Sequence, residues 1–201
     1  MDGEAITESV TGDAATFAAT MFYRNKGDME TDVLEHDGSV VLASSNKMNG
    51  THDVWRAMYE CHSNEDTLVL FVSPHVPSAR GVMLLIEDEM DRCPFPQDVW
   101  GVERTTDYEI EFSNGSKIKS VHTSDSMGAD RLRGYHPDLV VVDNWTEEGH
   151  SVSEDAITQV IVPMLGSADA DLWVNDTNID PNETLIDVAF DMGAYVKHMD
   201  R

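Results

Sequence analysis

The chain carries very little positive charge. Of its 201 residues only 13 are Lys or Arg, against 38 Asp or Glu, and the formal net charge is −25. A continuous basic face that could neutralise a phosphate backbone is thereby excluded, so any contact with DNA has to be local or come through a partner. Cysteine is almost absent too. Cys61 and Cys93 stand far apart without CxxC spacing, which argues against zinc and against a disulfide framework and leaves two reduced thiols. No apolar run approaches the ~18 residues of a membrane-spanning helix. The start, MDGEAITESVTGD, is acidic and has neither the basic nor the apolar region of a secretory signal. A cytoplasmic protein without membrane contact is the expectation. Seven prolines and an apolar share of 41% exclude a disordered chain and supply material for a core.

The acid load is scattered over every segment rather than gathered in a tail. It suits a surface adapted to the salt-rich cytoplasm of a halophile, where self-repulsion is screened over a few ångströms. A DNA-mimicking or DNA-avoiding surface is the competing explanation. The length fits one domain over residues 13–201, after an acidic, flexible start at 1–12.

Hydrophobic periodicity divides this domain into alternating elements. Helices are predicted over 14–23, capped by Asp13, and over 28–36, closed by Asp37-Gly38. A buried strand at 39–43 leads through a polar loop, 44–51, into a helix at 52–60. A second buried strand, 67–72, ends at Ser73-Pro74 and precedes a helix at 78–90. Residues 92–105 read as a connection containing Pro and Gly. Strands at 108–112 and 117–121 flank Ser113-Asn114-Gly115-Ser116, whose Asn-Gly supplies the positive φ of a hairpin turn. After a Gly-rich loop, 123–137, with Arg131 and Arg133, come a strand at 139–142, a helix at 154–165, a short strand at 172–174 and a closing helix at 184–198. The alternation plus one hairpin predicts an α/β sandwich with a mixed sheet. The four tryptophans and the methionines at helical spacing read as core.

Two features carry chemistry. Leu139-Val140-Val141-Val142 is a strand buried on both faces, and it stops in Asp143. An apolar strand ending in a carboxylate is how P-loop NTPases present a magnesium-holding aspartate, although such strands are common. Upstream, Lys47-Met48-Asn49-Gly50-Thr51-His52 lies between a strand and a helix, where backbone amides and a helix N-terminus can cradle phosphate. The usual Gly-Lys-Ser/Thr ending is missing: Gly50 is followed by Thr51 and His52. Lys47 is positioned to supply the cation; a plain strand-to-helix turn with a solvated lysine accounts for the same residues. His122, His136 and His150 have no metal-ligand spacing.

Taken together, EIEFSNGSKI, then Arg133-Gly134-Tyr135, then PDLVVVD and a helix ending VIVPML resemble the ATPase domain of the large terminase subunit, the DNA-packaging motor of tailed viruses. The likeness is strongest to the haloarchaeal and haloarchaeal-virus type and runs from about Asp13 to Phe190. It implies a P-loop NTPase-like three-layer sandwich with a mostly parallel sheet and an antiparallel hairpin, binding ATP and Mg²⁺. It also implies roles for particular positions. Glu30 stands where the family reads adenine with Gln, and Lys47 matches its early phosphate-loop cation. Asn49, Gly50 and Thr51 form the cradle. His52 occupies the place of the Ser/Thr that holds Mg²⁺, and Asp143 that of the magnesium aspartate. Asn144 replaces the catalytic glutamate, and Thr177 is what remains of the coupling stretch. Arg133, with Arg131, occupies a loop from which an arginine approaches phosphate or a neighbouring subunit; a surface pair with Asp125 or Asp130 is equally compatible. The family continues into a nuclease domain for which these residues hold no counterpart, so a short, nuclease-free protein is expected.

Asn144 can orient a water but cannot take its proton, and losing a general base costs about 10²- to 10⁴-fold. Glu147 or Glu148 would have to reach back to compensate. The expectation is therefore a degenerate ATPase-domain protein acting as a nucleotide-binding or assembly module. The alternative is a slow, active Mg²⁺-dependent ATPase of a packaging motor. A superfamily-2 helicase fragment shares the fold core but explains the Asn-Gly-Ser hairpin less well. Partners implied are viral or proviral packaging components, further copies of the chain, and DNA through a partner.

Overall fold

The structure is a computed structural model that describes residues 36, 38–44, 51–92, 101–124, 128–143, 152–176 and 184–199. In chain order its elements are β1 (Val40–Ser44), α1 (Thr51–Ser63), β2 (Leu68–Ser73), α2 (Val76–Arg92), β3 (Val102–Thr106), β4 (Glu109–Phe112), β5 (Lys117–His122), α3 (Gly128–Leu132), β6 (Leu139–Asp143), α4 (residues 154–168), β7 (Asp171–Asp176), α5 (Thr184–Asp191) and β8 (Tyr195–Met199). The predicted helix at 14–23, and all of the one at 28–36 except His36, lie outside the described residues; His36 itself is not helical.

All eight strands form one sheet in the order β3-β4-β5-β2-β6-β7-β1-β8. The neighbours from β5 to β8 pair in parallel, and β3, β4 and β5 pair antiparallel. Helices cover both faces. Val40, Leu42, Val69, Phe71, Leu139, Val141 and Trp173 pack with α1 and α2, whereas Val41, Leu70, Val72, Val140, Val142 and Val174 pack with α4 and α5. Strands buried on both faces have no polar side to show, which is why β1, β2 and β6 read as unbroken apolar runs. The expected α/β class, with a mostly parallel sheet and a hairpin, is what the structure has.

The hairpin does more than turn the chain. Asn114 Nδ2 donates to the carbonyls of Cys61 (2.7 Å) and Asn64 (3.0 Å), and Ser116 Oγ donates to Asn64 O (2.9 Å) while accepting from Thr67 N–H (3.1 Å). Cys61 lies in the last turn of α1 and Asn64 just past its end, where a helix leaves acceptors without partners. The Asn-Gly-Ser turn therefore caps α1 from a strand pair some 50 residues away. Gly115 (φ +85°) is required here because a Cβ would lie 2.1 Å from Asp66 Oδ1.

Three expectations are corrected. The closing helix at 184–198 ends at Asp191. Gly193 takes φ +77°, and Tyr195 N–H bonds Ser39 O (2.9 Å), so residues 195–199 form β8 beside β1. The apolar spacing continues into this stretch, but glycine releases the helix and an open sheet edge captures the Tyr-Val run. The connection at 92–105 contains β3, the outer strand of the hairpin side, and the loop at 123–137 contains α3. Helix α4 begins on Ser153, whose Oγ accepts from Ala156 N–H (3.3 Å), and widens to a π-helical segment at Ile157–Ile161. Pro163 explains the widening: it has no N–H for the i−4 carbonyl and its ring crowds that turn.

Among the described residues, burial perturbs three consecutive groups at the end of α1. Burial raises the Glu60 carboxyl above its usual range, with Arg56 opposing the shift, and pushes the Cys61 thiol well up. His62, edge-on to Phe112 at 5.3 Å, is lowered to about 4 by burial.

Two predictions follow from this packing. Gly115→Ala should destabilise the fold by ~1–3 kcal/mol, whereas Gly166→Ala, on the exposed side of α4 with nothing within 4 Å, should stabilise it by ~0.5–1 kcal/mol; denaturant midpoints at constant salt decide both. The unfolded chain takes up a proton at His62 near pH 6.5, while the folded chain resists it down to about 4. His62 therefore contributes full stability above pH 6.5 and loses it as pH falls towards 4, by ~3 kcal/mol in all. His62→Gln should flatten that part of the stability–pH curve.

Candidate functional site

In an open parallel sheet the strand carboxyl ends form the crevice where ligands bind, next to the point where the strand order reverses. Here β1 connects through α1 to β2 on one side, and β7 connects through α5 to β8 on the other. Strand β7 lies between β1 and β6. Asn175 of β7 is in register with Leu42 on β1 and with Asp143 on β6. The end of β1, which leads into the phosphate-loop segment, and the aspartate that ends β6 thus share one edge, roughly 10 Å apart across a single strand.

Helix α1 starts at this edge. Thr51 is buried, 6% exposed, at its first turn. His52 presents its ring edge-on to Trp55, one turn further along, with centroids 5.5 Å apart. Asp53 is 1% exposed and is drawn under the helix: Trp173 Nε1–H donates to Oδ1 at 2.8 Å and Asn175 Nδ2–H to Oδ2 at 3.2 Å. Both partners are donors facing an acceptor-only carboxylate, one on each oxygen. Further along α1, Arg56 is 2% exposed, pairs with Glu60, donates to His36 O (3.1 Å) and lies over the Trp173 ring at 5.8 Å. Trp55 Nε1–H reaches across to the buried Glu89 of α2 at 3.1 Å. The helix that would carry a phosphate site is thus tied to the sheet at its first turn, along its length and at its last turn.

On the opposite flank Arg133 is exposed and its Nε donates to Asp130 at 3.0 Å; Arg131 contacts His122 Nε2 at 2.7 Å. Of the other residues singled out from the sequence, Glu30, Lys47, Asn49, Gly50, Asn144, Glu147, Glu148 and Thr177 lie outside the described residues. The structure brings Thr51, His52 and Asp143 to one edge of the sheet. Among the described residues no group of three or more His, Cys, Asp or Glu is arranged to hold a metal ion, and no helix is long and apolar enough to cross a membrane.

Sequence reasoning missed Asp53, Trp173 and Asn175. A signal was present: Trp173 and Asn175 share one face of a short strand by alternation, so a polar partner across the layer had to be supplied. Nothing in the spacing says that the partner is a residue 120 positions earlier.

No protein-family model matches the chain, and no curated protein does. Solved structures match by shape. The large terminase ATPase domain of Thermus phage P74-26, as an arginine-to-alanine mutant, superposes with a TM-score of 0.62 at 10% identity, covering 84% of this chain and 71% of that one. Another structure of the same domain gives 0.55 at 14% identity, covering 71% of this chain and 61% of that one. The large terminase of a thermophilic bacteriophage gives 0.59 at 11% identity; the chain is covered to 91% but spans only 44% of that protein. At such identities the likeness concerns the fold: an α/β, mostly parallel, P-loop-like domain resembling terminase ATPase domains.

Trp173→Phe removes one donor from a buried carboxylate and should destabilise the protein by ~1–3 kcal/mol. A denaturation midpoint in Trp173→Phe equal to that of the wild type would contradict the account of Asp53.

Proposed function

We propose that this is a terminase-like ATPase-domain protein, related to viral DNA packaging, that has become degenerate in catalysis and serves as a nucleotide-binding or assembly module. The observation that carries this reading is the shared edge: the start of α1, the end of β1 and Asp143 flank a single strand in a fold that resembles terminase ATPase domains. The amides of Asn49, Gly50 and Thr51 with Lys47 form the phosphate cradle, Glu30 and Thr177 contribute at the base and coupling positions, and Arg133 faces a neighbouring subunit or the phosphates.

The residues fit Mg²⁺ poorly. Magnesium prefers hard oxygen ligands, and position 52 offers an imidazole that packs against Trp55. Position 143 supplies the one carboxylate of the expected pair. Bound magnesium would neutralise phosphate charge and orient the nucleotide; hydrolysis through it lacks support from residues 51, 52 and 144. In this reading Asn144 orients water without deprotonating it, and neither Glu147 nor Glu148 replaces the missing base. Packaging components of a virus or provirus and further copies of the chain are the partners, with DNA reached through them, in the salt-rich cytoplasm of a haloarchaeal host that the acidic surface suits.

Calorimetry with Mg-ATP in multimolar KCl, beside Lys47→Ala, tests the reading. The expected outcome is weak binding that Lys47→Ala abolishes, with no turnover in wild type and Mg²⁺-dependent hydrolysis in the triple variant Thr51→Lys, His52→Thr, Asn144→Glu. Turnover by wild type, unchanged in Asn144→Glu, would establish the slow packaging ATPase instead. A folded protein that binds no nucleotide in any variant would remove the nucleotide site.

A further inference from the structure

The hairpin turn that caps α1 has a chemistry of its own. An asparagine followed by glycine is prone to lose its side-chain amide, because glycine has no Cβ to shield the backbone nitrogen that attacks it. The chain has two such pairs: Asn49-Gly50, which lies outside the described residues, and Asn114-Gly115. At Asn114 the groups that the reaction needs are already engaged. The departing amine, Nδ2, donates to Cys61 O at 2.7 Å and to Asn64 O at 3.0 Å, which uses both of its hydrogens. Oδ1 accepts from Ser116 N–H at 3.1 Å, and Asn114 O accepts from Asp66 N–H at 3.2 Å, so side chain and backbone are both fixed. The attacking nitrogen, Gly115 N, donates its hydrogen to Phe112 O at 3.0 Å. The reaction begins by removing that hydrogen, and the Asp66 carboxylate against Gly115 opposes the anion that results.

We propose that Asn114 is a modification site that the folded chain keeps closed: it deamidates when the hairpin parts from α1, and the product prevents the cap from forming again. Once the contacts part, Gly115 N loses its proton to base and bonds to Asn114 Cγ. The Cγ–Nδ2 bond breaks, and ammonia leaves with a proton from solvent. Water then opens the cyclic imide on either side, giving aspartate or isoaspartate, so water is consumed as ammonia is released. An aspartate at 114 replaces a two-hydrogen donor by an acceptor-only carboxylate facing two carbonyls. It also adds negative charge at the negative end of the α1 dipole, close to Asp66 and to Glu60, which Asn64 contacts. Isoaspartate in addition lengthens the backbone by a methylene in a turn where Gly115 holds φ +85°. The site is independent of the nucleotide reading, since it lies at the end of α1 opposite to the strand carboxyl ends.

The test incubates the full wild-type chain at mildly alkaline pH, folded in KCl and, in parallel, unfolded in guanidinium chloride, and follows the amide-to-acid mass change in tryptic peptides. Residues 105–117 form one peptide with Asn114 as its only asparagine, and Asn49 falls in a separate peptide, 48–56. The expected result is deamidation of Asn114 at least ~100-fold slower in the folded chain, the ratio reporting how rarely this corner opens. Ser116→Ala removes the bonds to Asn64 O and Thr67 N–H without touching the Asn-Gly pair, and should raise the folded-state rate by about tenfold. Asn114→Asp makes one product directly. It should speed amide hydrogen exchange at Asp66 and Thr67, whose N–H groups bond Asn114 O and Ser116 Oγ, while exchange in β7 stays as it is. The wild-type comparison requires no variant to fold. Equal rates in the folded and unfolded chains, or an unfolded chain that keeps the Asn114 amide, would overturn the proposal, and so would unchanged exchange at Asp66 and Thr67 in Asn114→Asp.

Discussion

A carboxylate buried beneath the first turn of α1 fixes how the two halves of the domain meet. Asp53 accepts from Trp173 and Asn175, and through them α1 is attached to the strand that separates β1 from β6. A buried carboxylate without partners costs several kcal/mol, so its two donors hold both the helix and the strand in one register. The Trp173 ring then lies beside Arg56, whose pair with Glu60 and bond to His36 O carry the attachment along the helix. At the far end Asn114 and Ser116 take up the last carbonyls. Packing of Val54, Ala57 and Met58 supplies the favourable area; these polar contacts decide which rotation of the helix is used.

This anchoring has a functional side. The helix that Asp53 ties to β7 begins at the edge where the strand carboxyl ends lie, so its first turn is held in a fixed place beside the end of β6. At that first turn Thr51 offers no charge, and His52 offers nitrogen where a hydroxyl would stand in a complete phosphate loop. A fold can outlast its catalytic set because strands buried on both faces are selected by apolar area, which is indifferent to the residues at their carboxyl ends.

Much of the architecture was legible in order and type. Strands β1, β2 and β6 are apolar runs because helices cover both faces, and the Asn-Gly turn announced its hairpin. Where the reading failed, tertiary context overrode local pattern. Residues 195–199 continue a helical spacing but pair with β1, because Gly193 frees the chain beside an unpaired edge. Strand β3 is mostly exposed and polar, so it lacks the apolar signal that marks the inner strands. The π-helical segment reflects Pro163 meeting a helix whose later turns are held by packing in α4.

For the candidate site the division is sharper. Composition, the apolar strand stopping at Asp143 and the helix beginning after Gly50 are local properties, and the sequence determined by itself the class of fold, the acidic surface and the absence of a complete Gly-Lys-Ser/Thr cradle. Only the tertiary structure decided that β7 is inserted between β1 and β6, and that Asp53 faces inward onto Trp173 and Asn175. The physical reason is that strand order and helix rotation are set by contacts between residues more than a hundred positions apart, and a hydrogen bond between side chains leaves no periodic trace along the chain.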